Sequence, residues 1–198
     1  MRQSKRGATL APVVKVAVFG GSFNPPHVAH VLACALVLGV EDVERVLVVP
    51  AFQHPFAKAL APYEDRVAMC RAAFATMPAV DVSQVEEELG GESRTLRTLE
   101  HLAASHPGWR MRLVIGADIL AEAPRWFGFD AIAKLAPLLV LGRAGIDAPD
   151  AGPALLPEVS STRVRDAITR GAWGEAGRLV PRAVLAHVRA KGLYGAPA

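Results

Sequence analysis

The stretch GGSFNPPHVAH, Gly20–His30, places two glycines and two histidines directly after the apolar run Val13–Phe19. An apolar, helix-like segment follows, so the stretch lies at a strand-to-helix corner. Ligands of open α/β sheets bind beyond the carboxyl ends of the strands, and the free N–H groups of a helix start favour anions. Glycine has no Cβ to keep a ligand away from the backbone. The corner therefore predicts a phosphate site.

Both histidines are expected to face this corner from a helix that begins near Pro26. Apolar residues at helical spacing predict the buried stripe of that helix: Val28, Val31, Leu32 and Ala35. His27 then lies about 90° and His30 about 150° from the centre of the stripe, so neither is expected in the core. They can donate hydrogen bonds to phosphate oxygens and, when protonated, add positive charge. Exposed surface histidines are the alternative, and no Cys, Asp or Glu lies at a spacing that completes a zinc shell.

A second segment, VSSTRVR at residues 159–165, predicts a helix start that is rich in hydroxyl and guanidinium groups. These side chains belong to Ser160, Ser161, Thr162, Arg163 and Arg165. Together with free helix N–H groups they suit a polyphosphate, because arginine can bind it through two parallel hydrogen bonds. A solvated helix that ends near Gly171 is the alternative for this segment taken alone.

The two segments resemble, in order and separation, the GG(T/S)F(D/N)PxHxGH and ISSTxxR motifs of the nucleotidyltransferase superfamily. The resemblance implies that His27 and His30 contact the phosphates of ATP and stabilise the charge of the reaction. It also implies that Arg165, with Ser161 and Thr162, holds the β and γ phosphates. Ala29 departs from the motif, since it stands where the superfamily has the glycine of HxGH.

Three further segments resemble the nicotinate-nucleotide adenylyltransferases within this superfamily: IGADIL at residues 115–120, APRWFGFDAI from Ala123, and the tail RLVPRAVLAHVRAKGLYG, Arg178–Gly195. The resemblance runs from about Lys15 to Gly195. It implies a Rossmann-like three-layer α/β fold, with a central, mostly parallel sheet flanked by helices and followed by C-terminal helices. It also implies an adenylyltransferase that makes nicotinate adenine dinucleotide and pyrophosphate from ATP and nicotinate mononucleotide in NAD biosynthesis.

Asp118 and Trp126 can also be interpreted from their sequence context alone, without the resemblance to a family. Asp118 follows a buried-strand run, where a carboxylate can accept hydrogen bonds from a ribose or a base, or can cap a helix that begins near Ile119. Trp126 can stack on a flat heteroaromatic ring or pack in a core or lid. The resemblance implies that Trp126 stacks on the pyridine ring.

The segment SRTLRTLEH, residues 93–101, resembles the SYTxDTLxxL helix start of the same enzymes, which contacts the pyridine mononucleotide. Arg94 replaces the usual tyrosine and Arg97 the usual aspartate, whereas Ser93 and Thr95 match. The two arginines can favour an anionic acceptor or lie on a solvated face. A loop that resembles VPxxxxPxK contributes Lys58, while no role is assigned to His54.

The resemblance thus implies three sets of residues. The catalytic set is His27, His30 and Arg165. The ATP set is Gly20, Gly21, Ser22, Phe23, His27, His30, Gly116, Asp118, Ser160, Ser161, Thr162 and Arg165. The set for nicotinate mononucleotide is Asn24, Lys58, Ser93, Thr95 and Trp126. Mg²⁺ is expected to accompany ATP, with no dedicated metal ligands from the chain.

Strand-like runs at residues 14–19, 46–49, 80–82, 113–115 and 138–141 alternate with helical stretches, which predicts a parallel sheet flanked by helices. The chain has 198 residues, of which 52% are hydrophobic and 21% charged. It is therefore expected to form one domain over residues 13–198, with a helical part from about 158, after a flexible N-terminus at residues 1–12.

The net charge of +3 does not indicate nucleic-acid binding, and no apolar run reaches the length of a membrane span. Two isolated cysteines suit a reducing compartment, so a cytoplasmic location is expected. A homo-oligomer is compatible with the sequence. The alternatives for function are another acceptor, either nicotinamide mononucleotide or phosphopantetheine, and a nucleotide-binding homologue without turnover.

Overall fold

The computed structural model describes residues 13–53, 60–120, 122–146 and 153–196. Its centre is a five-stranded sheet in the order β3-β2-β1-β4-β5, with every pair of neighbours parallel. The strands are β1 (Val14–Gly21), β2 (Arg45–Pro50), β3 (Val80–Val82), β4 (Trp109–Gly116) and β5 (Leu138–Leu141). All five predicted strands are present, and the predicted fold class is confirmed.

The helices in the described part of the chain connect and cover these strands. They are α1 (Val28–Val40), α2 (Tyr63–Phe74), α3 (Val85–Leu89), α4 (Thr95–Ser105), α5 (Ala117–Leu120), α6 (Phe129–Leu135), α7 (Ser161–Thr169), α8 (Trp173–Leu179) and α9 (Arg182–Ala190). Short 3₁₀ turns lie at Ala123–Arg125 and Leu193–Gly195. Within the described ranges, no helix is long and apolar enough to cross a membrane.

The sheet separates two hydrophobic cores because successive side chains of a strand point to opposite faces. One core joins Ala17 and Val48 to α1, α2 and the C-terminal helices, which contribute Val164 and Val184. The other joins Val16, Val18 and Leu47 to α4 and α6. This arrangement gives the three layers that the alternation of strands and helices predicts.

The chain leaves β1 toward β2 on one side and returns through β4 on the other, so the strand order reverses between β1 and β4. Gly21 pairs with Pro50, and Gly116 pairs with Leu141, at the carboxyl edge of the sheet. Ligands of doubly wound sheets bind outside the carboxyl ends at such a switch point. Both predicted segments reach this edge.

The register of α1 differs from the prediction. The helix begins at Val28, not near Pro26, and its buried residues are Ala29, Ala33, Cys34 and Val37. Leu32 and Ala35, expected in the buried stripe, are exposed. Because α1 is apolar on nearly every face, hydrophobic periodicity cannot select the buried one; the small side chains of Ala29 and Ala33 face the core.

Candidate active site

The two predicted motif segments, far apart in sequence, contact each other at the carboxyl edge of the sheet. The Ser161 hydroxyl donates a hydrogen bond to the Pro25 carbonyl at 2.9 Å. The Arg165 guanidinium donates to the Asn24 carbonyl at 2.8 Å and to the Thr162 hydroxyl at 3.2 Å. These bonds fix the start of α7 against the loop after β1. Hydroxyl groups, arginine and the histidine loop therefore share one site.

The N-terminus of α7 is formed as its sequence predicts. Ser160 is the N-cap residue, and its hydroxyl accepts a hydrogen bond from the Arg163 N–H at 3.2 Å. Thr162 is exposed, and Gly171, with φ of 70°, follows the end of the helix. The first turn of this nine-residue helix carries a partial positive charge beside the loop after β1.

His27 and His30 form a stacked pair of imidazole rings, with centroids 3.8 Å apart and an interplanar angle of 25°. The Nδ1 atom of His30 accepts a hydrogen bond from the His27 backbone N–H at 3.0 Å. Nδ1 therefore carries no proton in the neutral ring, and the proton lies on Nε2. His30 thus presents an N–H donor at its outer nitrogen. The Phe23 ring supports His30 from a centroid distance of 4.9 Å.

The expectation that neither histidine lies in the core is wrong for His27, which is only 5% exposed. His27 is the N-cap residue of α1 rather than a residue of its first turn, so the helical angle that predicted its direction does not apply. Its Nδ1 atom is buried and has no hydrogen-bond partner in the described structure. His30, which lies within the helix, is half-buried.

Burial keeps both histidines neutral. Desolvation, with a smaller effect of the Arg143 charge, lowers the pKa of His27 to about 4. Desolvation also lowers the pKa of His30 well below its usual value, with smaller effects from the neighbouring His27, which would repel it if both rings were protonated, and from the Arg143 charge. In the free protein at neutral pH the pair therefore offers hydrogen-bond donors and no positive charge.

The depressed pKa of His27 predicts acid sensitivity. The unfolded chain takes up a proton near pH 6.5 but the folded chain only near pH 4, so stability is full above about 6.5 and falls as the pH drops. This difference in the pKa of His27 alone is expected to lower the free energy of unfolding by about 2 kcal/mol between pH 7 and pH 5, a range in which most carboxylates stay ionised. Urea unfolding at both pH values should show this loss, and His27→Gln should reduce it. An equal loss in that variant would contradict the assignment.

Arg143, which the sequence did not single out, joins three parts of the site. It follows β5, and its guanidinium pairs with the Asp118 carboxylate at 3.2 Å and donates to the Val159 carbonyl just before α7. Its charge also lowers the pKa values of both histidines. The one available signal was its position two residues after β5, at the same sheet edge as the two motif segments.

Asp118 lies inside α5, which begins at Ala117, so the alternative that it caps a helix starting near Ile119 is wrong. Its carboxylate is one-third exposed and pairs with Arg143. A Cβ on Gly116 would collide with this carboxylate, so a larger residue at the end of β4 would require the Asp118 side chain to move. The carboxylate therefore sits at the sheet edge with one guanidinium partner and an exposed side.

The residues predicted to bind the mononucleotide have different surroundings in the structure. Asn24 is buried, and its side-chain oxygen accepts hydrogen bonds from the Ala61 N–H at 3.0 Å and the Tyr194 hydroxyl at 2.9 Å. Thr95 begins α4, and Trp126 is half-buried against the second core. Lys58 and His54 lie outside the described residues.

The two unexpected arginines near α4 contact protein groups. Arg97 donates to the carbonyls of Gly90 and Leu89 at 2.6 and 2.7 Å, at the C-terminal end of α3. Arg94 pairs with Glu92 at 2.7 Å, and its guanidinium lies 5.3 Å from the centroid of the exposed Phe127 ring. Both arginines are exposed, as the alternative of a solvated face predicts, and both also bond to protein groups of the segments around α4.

Residues 18–167 match the cytidylyltransferase-like family model. The chain is 48% identical over 183 residues to a protein of Anaeromyxobacter dehalogenans (strain 2CP-C) named probable nicotinate-nucleotide adenylyltransferase, covering 91% of this chain and 96% of that protein. It is 46% identical over 188 residues to the protein of that name from Myxococcus xanthus, covering 94% and 97%. The chain belongs to the nicotinate-nucleotide adenylyltransferase family.

Solved adenylyltransferase structures share the fold. The nicotinic acid mononucleotide adenylyltransferase of Plasmodium falciparum, complexed with NaAD, superposes with a TM-score of 0.81 at 14% identity, covering 92% of this chain and 98% of that one. The same enzyme complexed with APC gives a TM-score of 0.78. At this identity the likeness concerns the Rossmann-like fold alone.

Membership of the adenylyltransferase family confirms the resemblance stated from the motifs. Ala29, in place of the motif glycine, is 5% exposed and belongs to the buried face of α1. Its methyl group therefore packs in the core rather than in the phosphate corner. The departure leaves the corner itself, Gly20–His27, unobstructed.

Proposed function

We propose that this chain transfers the adenylyl group of ATP to nicotinate mononucleotide, releasing pyrophosphate and forming nicotinate adenine dinucleotide for NAD biosynthesis. The observation that carries the proposal is the direct contact between the histidine loop and the start of α7, in a chain of the nicotinate-nucleotide adenylyltransferase family. A phosphate-binding corner and a hydroxyl- and arginine-rich helix start together form a site for a triphosphate.

In this reaction an oxygen of the acceptor's phosphate attacks the α-phosphorus of ATP. A new P–O bond forms as the bond from the α-phosphorus to the bridging oxygen breaks, and that oxygen's electron pair leaves with pyrophosphate. The attacking phosphate is already an anion near neutral pH, so no protein nucleophile is needed. Catalysis then rests on positioning and on stabilising the charge that develops on the phosphates.

His30, together with His27, donates hydrogen bonds to the phosphates in this proposal. The Nε2–H group of His30 is fixed as a donor, because the His27 N–H occupies its Nδ1 atom. A neutral donor stabilises developing negative charge without moving a proton. Phe23 is buried beneath His30, so it takes part through its backbone and by holding that ring.

The remaining ATP contacts are assigned to three parts of the carboxyl edge of the sheet: the loop after β1, the start of α7 and the end of β4. Gly20 and Gly21 allow the backbone of the β1 loop, through Ser22, to approach the nucleotide; a Cβ on Gly20 would meet open space, so the approach is clear there. The start of α7 holds the β and γ phosphates through Ser160, Ser161, Thr162 and Arg165. On the far side, Gly116 and Asp118 lie where the ribose or base is held.

The acceptor occupies the side formed by α4 and the Trp126 loop. Trp126 stacks on the pyridine ring, and Thr95, at the start of α4, contacts the mononucleotide. Lys58 completes the set as a phosphate ligand in this proposal. Asn24 contributes mainly by holding Ala61 and Tyr194, since those groups occupy its side-chain oxygen.

Mg²⁺ enters the proposal with ATP, as Mg·ATP. The described residues contain no group of three or more His, Cys, Asp or Glu side chains that could hold a metal ion. Mg²⁺ keeps several waters and is commonly bound by substrate phosphates, so a site with one arginine-paired carboxylate, Asp118, fits a metal held by the nucleotide. A cytoplasmic location is part of the proposal, consistent with two free, buried thiols.

Pyrophosphate release by the purified protein tests the proposal. Mg·ATP is supplied with nicotinate mononucleotide, nicotinamide mononucleotide or phosphopantetheine in parallel, with a reaction that lacks acceptor as the control. The highest kcat/KM is expected with nicotinate mononucleotide. A higher value with another acceptor would replace the proposed substrate. ATP binding without turnover of any acceptor would identify the chain as a nucleotide-binding homologue.

A further inference from the structure

One carboxylate outside the predicted site gathers three donors. Glu86, on α3, accepts hydrogen bonds from the Phe52 backbone N–H at 3.0 Å, from the Ser93 hydroxyl, and from the Thr98 hydroxyl at 3.2 Å. These donors belong to the loop after β2, the residues before α4 and the first turn of α4. An ionised carboxylate accepts several hydrogen bonds at once, and bonds to a charged acceptor are the stronger ones.

Backbone contacts reinforce the same junction. The Ser93 N–H donates to the Gln53 carbonyl at 2.9 Å, and the Gln53 N–H donates to the Ser93 hydroxyl at 3.2 Å. The Ser93 hydroxyl therefore has both a donor and an acceptor within the protein. Its expected direct contact with the mononucleotide is thus weakened, and its clearest partner is Glu86.

We propose that Glu86 is a positioning residue of the acceptor site, an inference that rests on the proposed function. It ties the loop after β2 to the start of α4, and so fixes the direction in which Thr95 and the free N–H groups of α4 face the acceptor. It touches neither nucleotide. The loss of its hydrogen bonds weakens acceptor binding and leaves the ATP side intact, because that side is built by the β1 loop, the end of β4 and α7.

Glu86→Gln is the test variant. The amide keeps the shape of the carboxylate but has one oxygen, and its NH₂ group faces at least one of the three donors without accepting from it. Glu87→Gln is the matched control, since it removes the same charge from the same helix, where Glu87 accepts a hydrogen bond from the Gln84 side chain at 2.7 Å and, among the described residues, from no other side chain.

Initial rates are measured with each substrate varied. Glu86→Gln should raise the KM for nicotinate mononucleotide about tenfold or more, the effect of losing one charge-assisted hydrogen bond. The KM for ATP should change less than about twofold. Exchange of the Phe52 amide hydrogen should also accelerate. Glu87→Gln should match the wild type in all three measurements.

An unchanged acceptor KM, or an equal rise of both KM values, would overturn the positioning role while the proposed function stands. If the wild-type protein turns over no acceptor, the proposed function fails, and the positioning role falls with it. Wild-type turnover therefore separates the two failures.

Discussion

His30→Ala is expected to lower kcat about a hundredfold to a thousandfold, the range found when one fixed donor to a developing anion is removed. The wild-type ring is held for this task from two sides. The His27 N–H fixes the proton on Nε2, and the stacked His27 ring, 3.8 Å away, fixes the orientation. Single-turnover rates at saturating Mg·ATP measure the loss of the chemical step directly.

Because His30 also packs on Phe23 at a centroid distance of 4.9 Å, alanine removes a supporting ring as well as a donor. His30→Asn also lacks the ring, but its side-chain oxygen can still accept from the His27 N–H, so its comparison with alanine separates the loss of this hydrogen bond from the loss of the Nε2–H donor. His101→Ala, at an exposed position of α4, is the control and should retain the wild-type rate. A wild-type rate in His30→Ala would refute the role assigned to His30.

The sheet was predictable because its strands are short, β-branched, doubly buried runs such as those around Val48 and Ile115, which have few alternative structures. The buried face of α1 was not, because Leu32 and Ala33 are both apolar and only packing decides which one is covered. The division into residues 1–12 and a domain over 13–198 stays a prediction.

The residues of the candidate site likewise fall into those that could be predicted from the sequence and those that could not. Residues within a motif, such as His30 and Ser161, could be found because local spacing defines them. Arg143 and Glu86 could not, because their partners are distant in sequence: Arg143 reaches Asp118 and Val159, and Glu86 reaches Phe52. Contacts that cross from one loop to another leave no periodic signal along the chain.

Arg66 is the clearest example of a residue whose contacts could not be predicted from the sequence. No role was assigned to it from the sequence, yet it is 2% exposed and is among the largest fully buried side chains in the described structure. Its guanidinium donates to the carbonyls of Ala61 and Ser22, each at 3.0 Å, and to that of Phe52 at 3.5 Å. It thus ties the loop after β1 to the start of α2 and to the loop after β2. Burial lowers its pKa, and its partners in these bonds are carbonyl dipoles rather than a carboxylate.

Arg66→Leu is expected to destabilise the fold by about 3 kcal/mol, since it leaves three part-buried carbonyls without this donor, and each buried group left unpaired costs about 1–3 kcal/mol. For a chain of this size the melting temperature should fall by about 10 °C. The KM for ATP should also rise, because the backbone at Ser22 loses its anchor. Urea unfolding and ATP-dependent rates measure the two effects separately.

Arg71→Leu supplies the comparison on the same helix, where the wild-type side chain is exposed and bonds, within the described ranges, only to Gln84. This control should stay within about 0.5 kcal/mol of the wild type. Arg66→Lys should recover only part of the loss, because one ammonium group cannot reach three separate carbonyls in the planar arrangement of a guanidinium. If Arg66→Leu unfolds within about 1 kcal/mol of the wild type with the same dependence on urea, the three carbonyls have found other donors. Arg66 would then not be the residue that holds the loop after β1 in place.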